Sequence, residues 1–95
     1  MGVKIIIKRI VPENKTKGLI PLLKQLRILA TNQPGYISGE TLKGIDNPAN
    51  YMVISTWRSK DDWEEWLLSK ERAEIQKNID SLLEDKTVCE IYNYV

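Results

Sequence analysis

The sequence predicts an α+β domain in which four strands form one antiparallel sheet and the helices pack on it. Two kinds of segment support this: dense β-branched or alternating apolar runs typical of strands, and leucine-rich or tryptophan-rich stretches with the three-and-four spacing of helices. Their order is strand, helix, strand, strand, helix pair, strand, for which the ferredoxin-like βαββαβ arrangement is the commonest solution. A chain of 95 residues is long enough for one domain only, which we place at residues 1–95.

The first strand and the first helix are predicted from a change in the spacing of apolar residues along the sequence. Residues 3–11 contain mostly Val and Ile and are followed by a turn at Pro12. Leucines then recur at helical spacing up to Ala30, and residues 32–35, Asn-Gln-Pro-Gly, end the pattern. Because proline is tolerated in the first turn of a helix, Pro21 predicts a helix start near position 17 or 18.

The middle of the chain predicts a β-hairpin. Residues 36–42 and 51–57 are strand-like, and both contain aromatic and β-branched side chains. The loop between them contains Gly44 and the turn-forming Asp-Asn-Pro of residues 46–48.

Two consecutive helices and a last strand complete the pattern. Ser59 is placed to cap the first of these helices, and the acidic pair that follows it is explained by the helix dipole rather than by metal binding. Trp63 and Trp66 form the apolar side of this helix. Ser69 is placed to cap the second helix, and residues 87–94 are predicted to form the final strand.

The first and third strands carry large apolar side chains on both faces. Ile5 and Ile6 are neighbours, as are Val53 and Ile54, and neighbouring residues of a strand point to opposite faces. Helices can cover only one face of such a sheet. We therefore expect a second copy of the chain to cover the other face, which makes the predicted assembly a homodimer.

Composition excludes several classes of function. The formal net charge is +1 and the basic residues are interleaved with acidic ones, so we expect neither nucleic acid nor an anionic membrane as a partner. No apolar segment is long enough to span a membrane, no signal-peptide pattern is present, and we expect a cytoplasmic protein. Cys89 is the only cysteine; no basic residue or helix start adjoins it, so we predict a packing role rather than a reactive thiol.

Two stretches resemble a known family. They are Pro-Gly-Tyr-Ile-Ser-Gly-Glu-Thr-Leu at residues 34–42 and Trp-Arg-Ser-Lys-Asp-Asp-Trp-Glu-Glu-Trp-Leu-Leu-Ser-Lys-Glu-Arg at residues 57–72. They are similar to the antibiotic biosynthesis monooxygenase family of dimeric α+β barrels, and the similarity extends over essentially the whole chain. The resemblance implies a ferredoxin-like subunit, a barrel-like dimer made by two packed sheets, and a pocket between sheet and helices in each subunit.

The family resemblance also implies candidate activities. Some members oxygenate polyphenolic or quinol substrates without metal or flavin, others degrade haem, and others have no known activity. In the haem-degrading members an Asn, a Trp and an iron-binding His are required; Lys8 corresponds to the Asn, Trp66 to the Trp, and Gln76 to the His. Because this chain contains no histidine, we do not expect haem degradation, a metal or another cofactor.

Four residues are therefore candidates for binding a small aromatic compound. Trp66 can stack on a ring, although a core position fits its spacing equally well. Arg72 and Lys8 can stabilise a phenolate, although surface positions are the simpler interpretation for both. Gln76 is a candidate only by its place in the family pattern. The absence of a histidine base leaves two functions open: a cofactor-independent monooxygenase, or a non-catalytic dimeric module for ligand binding or assembly.

Overall fold

The computed structural model describes residues 2–95, which form an α+β, ferredoxin-like fold. Its elements are β1 (Val3–Ile10), α1 (Thr16–Thr31), β2 (Tyr36–Lys43), β3 (Asn50–Trp57), α2 (Lys60–Leu67), α3 (Lys70–Leu82) and β4 (Val88–Asn93). A short 3-10 turn at Glu13–Lys15 leads into α1. The order of elements confirms the predicted fold class, and each predicted boundary lies within one or two residues of the observed one.

The four strands form one antiparallel sheet in the order β2-β3-β1-β4. The register aligns Ile7 with Val53 on one side and with Cys89 on the other. The strand alternation places Ile5, Ile7 and Arg9 on the face covered by the helices, called here the inner face. The opposite face is called the outer face.

The inner face and the helices enclose the core. One group of buried side chains joins the start of β1 to the end of β3 and to α2: Val3, Ile5, Ile7, Trp57, Trp63 and Trp66. A second group joins the other end of the sheet to α1 and α3: Val11, Leu19, Tyr51, Ile75, Ile79 and Leu83. Removing this apolar surface from water is the main contribution that holds the helices on the sheet.

The start of α1 differs from the prediction. The helix begins at Thr16, so Pro21 is its sixth residue and lies beyond the first turn. Proline has no N–H, which leaves the carbonyl of Lys17 without its helical donor. Lys17 is exposed, so water can satisfy that carbonyl and the helix continues through the proline.

Serine caps fix the starts of α2 and α3, as predicted. Ser59 Oγ accepts a hydrogen bond from the backbone N–H of Asp62 at 3.1 Å, and Ser69 Oγ accepts one from Arg72 N–H at 3.2 Å. Each cap satisfies a donor that the helix itself cannot pair. The second cap also sets Arg72 in the first turn of α3, from which its side chain reaches the sheet.

The outer face carries apolar side chains that no helix covers in the described part of the chain. Ile6 and Ile54 are half-buried at its centre, while Leu42 and Val88 are 44% and 49% exposed towards its edges. Apolar residues therefore occupy both faces of the sheet, in agreement with the sequence pattern. Within residues 2–95, no helix is long and apolar enough to cross a membrane.

Candidate functional site

A cavity of about 70 Å³ lies between the inner face and the three helices. Its wall is mostly apolar and aromatic, with contributions from α1, β2, β3 and α2. Four aromatic side chains line it: Tyr36, Trp57, Trp63 and Trp66. Exposed Arg27 and half-buried Leu23 on α1 also border it, so movement of these side chains can enlarge it.

The aromatic side chains pack edge to face and form a rigid wall. The ring centroids of Tyr36 and Trp57 are 5.4 Å apart at an interplanar angle of 90°, and those of Trp57 and Trp63 are 5.6 Å apart at 65°. Trp57 Nε1 donates to Ser55 Oγ at 3.2 Å, which satisfies the buried indole. Trp57 and Trp63 are buried in the core, as predicted, and they also line the cavity. Trp66, 3% exposed, both belongs to the core and borders the cavity.

Arg72 brings a positive charge to this wall. Its side chain is 6% exposed, and its guanidinium carbon lies 5.5 Å from the centroid of the Trp63 ring, within cation–π distance. Its Nη2 lies 4.0 Å from Cys89 Sγ. Desolvation by burial lowers the pKa of Arg72, and the nearby Cys89 and Asp80 oppose that effect.

Arg9 brings a second positive charge from β1. It is only 3% exposed, and its Nη2 donates a hydrogen bond to Gln76 Oε1 at 3.1 Å. Its Nε is buried and has no hydrogen-bond partner. Burial and, to a smaller extent, the positive charge of Arg72 lower the pKa of Arg9 to about 10, while Cys89 and Asp80 act in the opposite direction. The guanidinium is therefore still charged at neutral pH.

Neither buried arginine has a carboxylate counterion within the described residues. The ion pairs found there join Lys8 to Glu90, Arg58 to Asp62, and Lys60 to Glu64. Glu40 borders the cavity, but its side chain is exposed and forms no ion pair with either arginine. Buried charges are ordinarily paired, so this cavity combines an aromatic wall with unneutralised positive charge.

Gln76 supports Arg9 rather than lining the cavity. While its Oε1 accepts from Arg9, its Nε2 donates to Asp80 Oδ1 at 2.9 Å and to Thr87 Oγ1 at 3.0 Å. These bonds fix the orientation of the amide, and with it the orientation of the guanidinium. The amide side chain is thus fully engaged within the protein.

Lys8 lies on the outer face, away from the cavity. Its side chain is 52% exposed and its Nζ lies 3.4 Å from Glu90 Oε1. Of the four candidates, the structure thus brings Trp66 and Arg72 to the cavity and places Gln76 behind it. Arg9 is the cavity residue that the sequence analysis did not select. In the sequence, Arg9 lies two residues after Ile7 and four after Ile5, so these three side chains point to the same face of the strand. This alternation was the signal that could have identified Arg9.

Two further observations concern cysteine and metal ions. Cys89 is exposed on the edge strand β4, so the prediction of a packing role is wrong. Arg72 approaches its sulfur from a distant part of the sequence. Across residues 2–95, no three His, Cys, Asp or Glu side chains are grouped in a way that could hold a metal ion.

Comparison with known proteins identifies related sequences and folds. A family model described as antibiotic biosynthesis monooxygenase matches residues 2–78. No curated protein sequence is similar enough to match this chain. Among solved structures, a conserved protein from Methanosarcina mazei Go1 superposes with a TM-score of 0.93 at 19% identity, covering 100% of this chain and 94% of that one.

Two other solved structures have the same fold at low identity. Rv0793 from Mycobacterium tuberculosis superposes with a TM-score of 0.88 at 15% identity, covering 100% of this chain and 96% of that one. SnoaB, a cofactor-independent oxygenase from Streptomyces nogalater, superposes with a TM-score of 0.81 at 12% identity, covering 99% of this chain and 93% of that one. At these identities the likeness concerns the fold.

Proposed function

Because this chain belongs to the antibiotic biosynthesis monooxygenase family, we propose that it is a cofactor-independent monooxygenase acting on a small polyphenol or quinol-like compound. The observation that carries this proposal is the cavity in which Arg9 and Arg72 lie against an aromatic wall without a carboxylate counterion. Such a site favours a planar aromatic anion. SnoaB, described as a cofactor-independent oxygenase, provides a precedent for this activity on this fold.

In the proposed reaction the protein binds the substrate, and the electrons come from the substrate itself. The ring packs against Trp66 and Tyr36, and the two guanidinium groups stabilise the phenolate form. The anion transfers two electrons to dioxygen and, with a proton, forms a carbon-bound hydroperoxide. Breakage of its O–O bond, with loss of the remaining hydrogen from that carbon, leaves one oxygen on the carbon as a carbonyl and releases the other as water. Dioxygen thus takes up four electrons, and all of them come from the substrate.

The roles proposed for the individual residues follow from their positions. Arg72 acts as an electrostatic stabiliser of the anion, and Trp66 as part of the surface on which the ring lies. Gln76 acts as a positioning residue, because it holds the guanidinium of Arg9 through one hydrogen bond and is itself held by two others. Lys8 faces away from the cavity and has no role in this proposal.

The proposal includes a homodimer formed through the outer face. Its support is the apolar surface around Ile6 and Ile54, which no helix covers in the described part of the chain. Replacing Ile6 with Glu would place a charge at the centre of that interface. We expect Ile6→Glu to dissociate or misfold, and light scattering should report dimers for the wild type. A wild-type monomer would refute this part of the proposal. We also assign the protein to the cytoplasm, where its single exposed cysteine can remain a free thiol.

A second function is supported by a different observation. No imidazole lines the cavity, and no carboxylate of its lining pairs with the arginines. The cavity therefore lacks an obvious proton acceptor. This favours a non-catalytic dimeric module that binds a small ligand or serves in assembly. In that case, aromatic anions would bind in the same cavity without being oxidised.

Titration of tryptophan fluorescence, coupled to oxygen uptake, separates the two functions. The wild type is titrated with naphthoquinols, anthrones and haem, and Trp66→Phe is compared with the control Tyr94→Phe, an exposed aromatic away from the cavity. A monooxygenase should show saturable quenching that weakens in Trp66→Phe alone, with oxygen uptake and incorporation of one labelled oxygen atom. Binding without uptake supports a ligand-binding module. The absence of any binding refutes the monooxygenase and supports a module that serves only in assembly.

A further inference from the structure

The two buried arginines of the cavity require an anion whose chemistry can be specified further. Arg9 and Arg72 come from opposite sides of the cavity wall, β1 and α3. The positive charge of Arg72 is close enough to contribute, after burial, to the lowered pKa of Arg9. Like charges held together without a counterion are unfavourable in a buried site. A single anion placed between them would offset both desolvation and mutual repulsion.

The free donors of these arginines indicate which anion fits. Arg9 uses one N–H to bond Gln76, whereas its Nε is buried and unpartnered. The guanidinium of Arg72 donates to no oxygen atom among the described residues; its one hydrogen-bond contact there is Nη2 to Cys89 Sγ, at 4.0 Å. A guanidinium presents its N–H groups as a planar fork that matches the two oxygens of a carboxylate.

We propose that Arg9 and Arg72 form a carboxylate-binding subsite, so that the natural ligand of this cavity is an aromatic carboxylic acid whose ring lies on the tryptophan wall. This inference rests on the proposed function and deepens it by naming the substrate class, a hydroxylated aryl carboxylate. A carboxylate is fully ionised at neutral pH, whereas a phenol must first lose its proton. The carboxylate also supplies two acceptor oxygens, one for each guanidinium.

Binding of matched ligands tests the subsite without requiring turnover. Three naphthalene probes of nearly equal size are 2-naphthoate, its neutral isostere 2-naphthamide, and 2-naphthol, and each is titrated by calorimetry. We expect the wild type to bind 2-naphthoate at least tenfold more tightly than the other two. Equal affinities for the three probes would overturn the proposal, and this comparison needs no variant.

Substitutions locate the selectivity. Arg9→Met and Arg72→Met should each reduce the preference for the carboxylate to within about threefold, while the control Arg58→Met, an exposed arginine outside the cavity, should retain it. Gln76→Glu is a near-isosteric test, because it places a carboxylate next to the Arg9 Nη2. This internal anion should also reduce the preference. Retention of tenfold selectivity in all of these variants would overturn the proposal.

Oxygen uptake with 1,4-dihydroxy-2-naphthoate and with 1,4-naphthohydroquinone separates this inference from the proposed function. Faster uptake with the carboxylate supports both. Uptake at equal rates, together with equal binding of the naphthalene probes, preserves the oxygenase and overturns the carboxylate subsite. Selective binding of naphthoate without uptake from either quinol preserves the subsite and refutes the oxygenase.

Discussion

Replacing Arg9 with Met should make the free protein more stable while reducing its preference for a carboxylate ligand. Arg9 is 3% exposed, and burial together with Arg72 lowers its pKa well below its usual range, to about 10. That shift corresponds to roughly 3 kcal/mol of unfavourable free energy for holding the charged group in the folded state at neutral pH. Methionine fills a similar space and carries no charge.

The net change is smaller than this cost because the substitution also removes a hydrogen bond. The bond from Arg9 Nη2 to Gln76 Oε1 is part-buried, and its loss costs on the order of 1 kcal/mol. We therefore expect Arg9→Met to raise the free energy of unfolding by about 1–2 kcal/mol at pH 7. For a domain of this size, the melting temperature should rise by roughly 5–10 °C.

Urea denaturation followed by tryptophan fluorescence measures this change. Repeating the measurement at several protein concentrations separates the effect of assembly from the stability of the subunit. Arg58→Met, which removes an exposed ion pair, serves as the control and should shift stability by less than about 0.5 kcal/mol. The free-energy cost of the buried charge is fully present below about pH 10 and is relieved as the pH rises above that value, because Arg9 loses its proton in the folded protein before it does in the unfolded chain. The advantage of Arg9→Met should therefore narrow above pH 10. Destabilisation of Arg9→Met by more than 1 kcal/mol at pH 7 would refute the reasoning.

Three further predictions concern local geometry and pH. Gly35 has a φ of 86°, and a Cβ at this position would collide with the Asp62 carboxylate. Gly35→Ala should therefore lower the free energy of unfolding by about 2 kcal/mol or more. A loss below about 0.5 kcal/mol would contradict this prediction. Ser59→Ala removes the cap of α2 and should cost about 1 kcal/mol in urea denaturation, with Ser59→Thr as the conservative control; equal stability of all three proteins would rule out the cap's contribution. Affinity for 2-naphthoate should be constant between pH 6 and 9 and should fall above about pH 10, because Arg9 then loses its proton. Affinity unchanged through pH 11 would argue against a charged Arg9 in the subsite.

The fold was predictable because local signals and global topology agree. The serine caps of α2 and α3, the breaker residues after α1 and the two-faced strands all indicated the observed arrangement. Pro21 was the exception. Its simplest interpretation, a first-turn position, was overridden because the exposed carbonyl of Lys17 tolerates the loss of one donor.

The candidate site was less predictable, and β1 gives the physical reason. When both faces of a strand are apolar, the alternation of side chains does not identify the inner face. The sequence pattern therefore could not decide whether Lys8 or Arg9 points towards the helices. The signal that distinguishes the two faces of β1 was weak. Lys8 points to the same face as Lys4, whereas Arg9 points to the same face as Ile5. An arginine on the buried face of a strand is also unusual. Sequence spacing gives no indication that Gln76, far away in the chain, will accept a hydrogen bond from it.

The edge-to-face packing of Trp57 and Trp63 has an optical consequence. Two indoles 5.6 Å apart and inclined by 65° are close enough for their excited states to couple as an exciton. Such a pair should produce a signed couplet in the circular dichroism spectrum that neither indole gives alone. Because Trp57 ends β3 and Trp63 lies on α2, the couplet would report directly whether that helix is docked on the sheet.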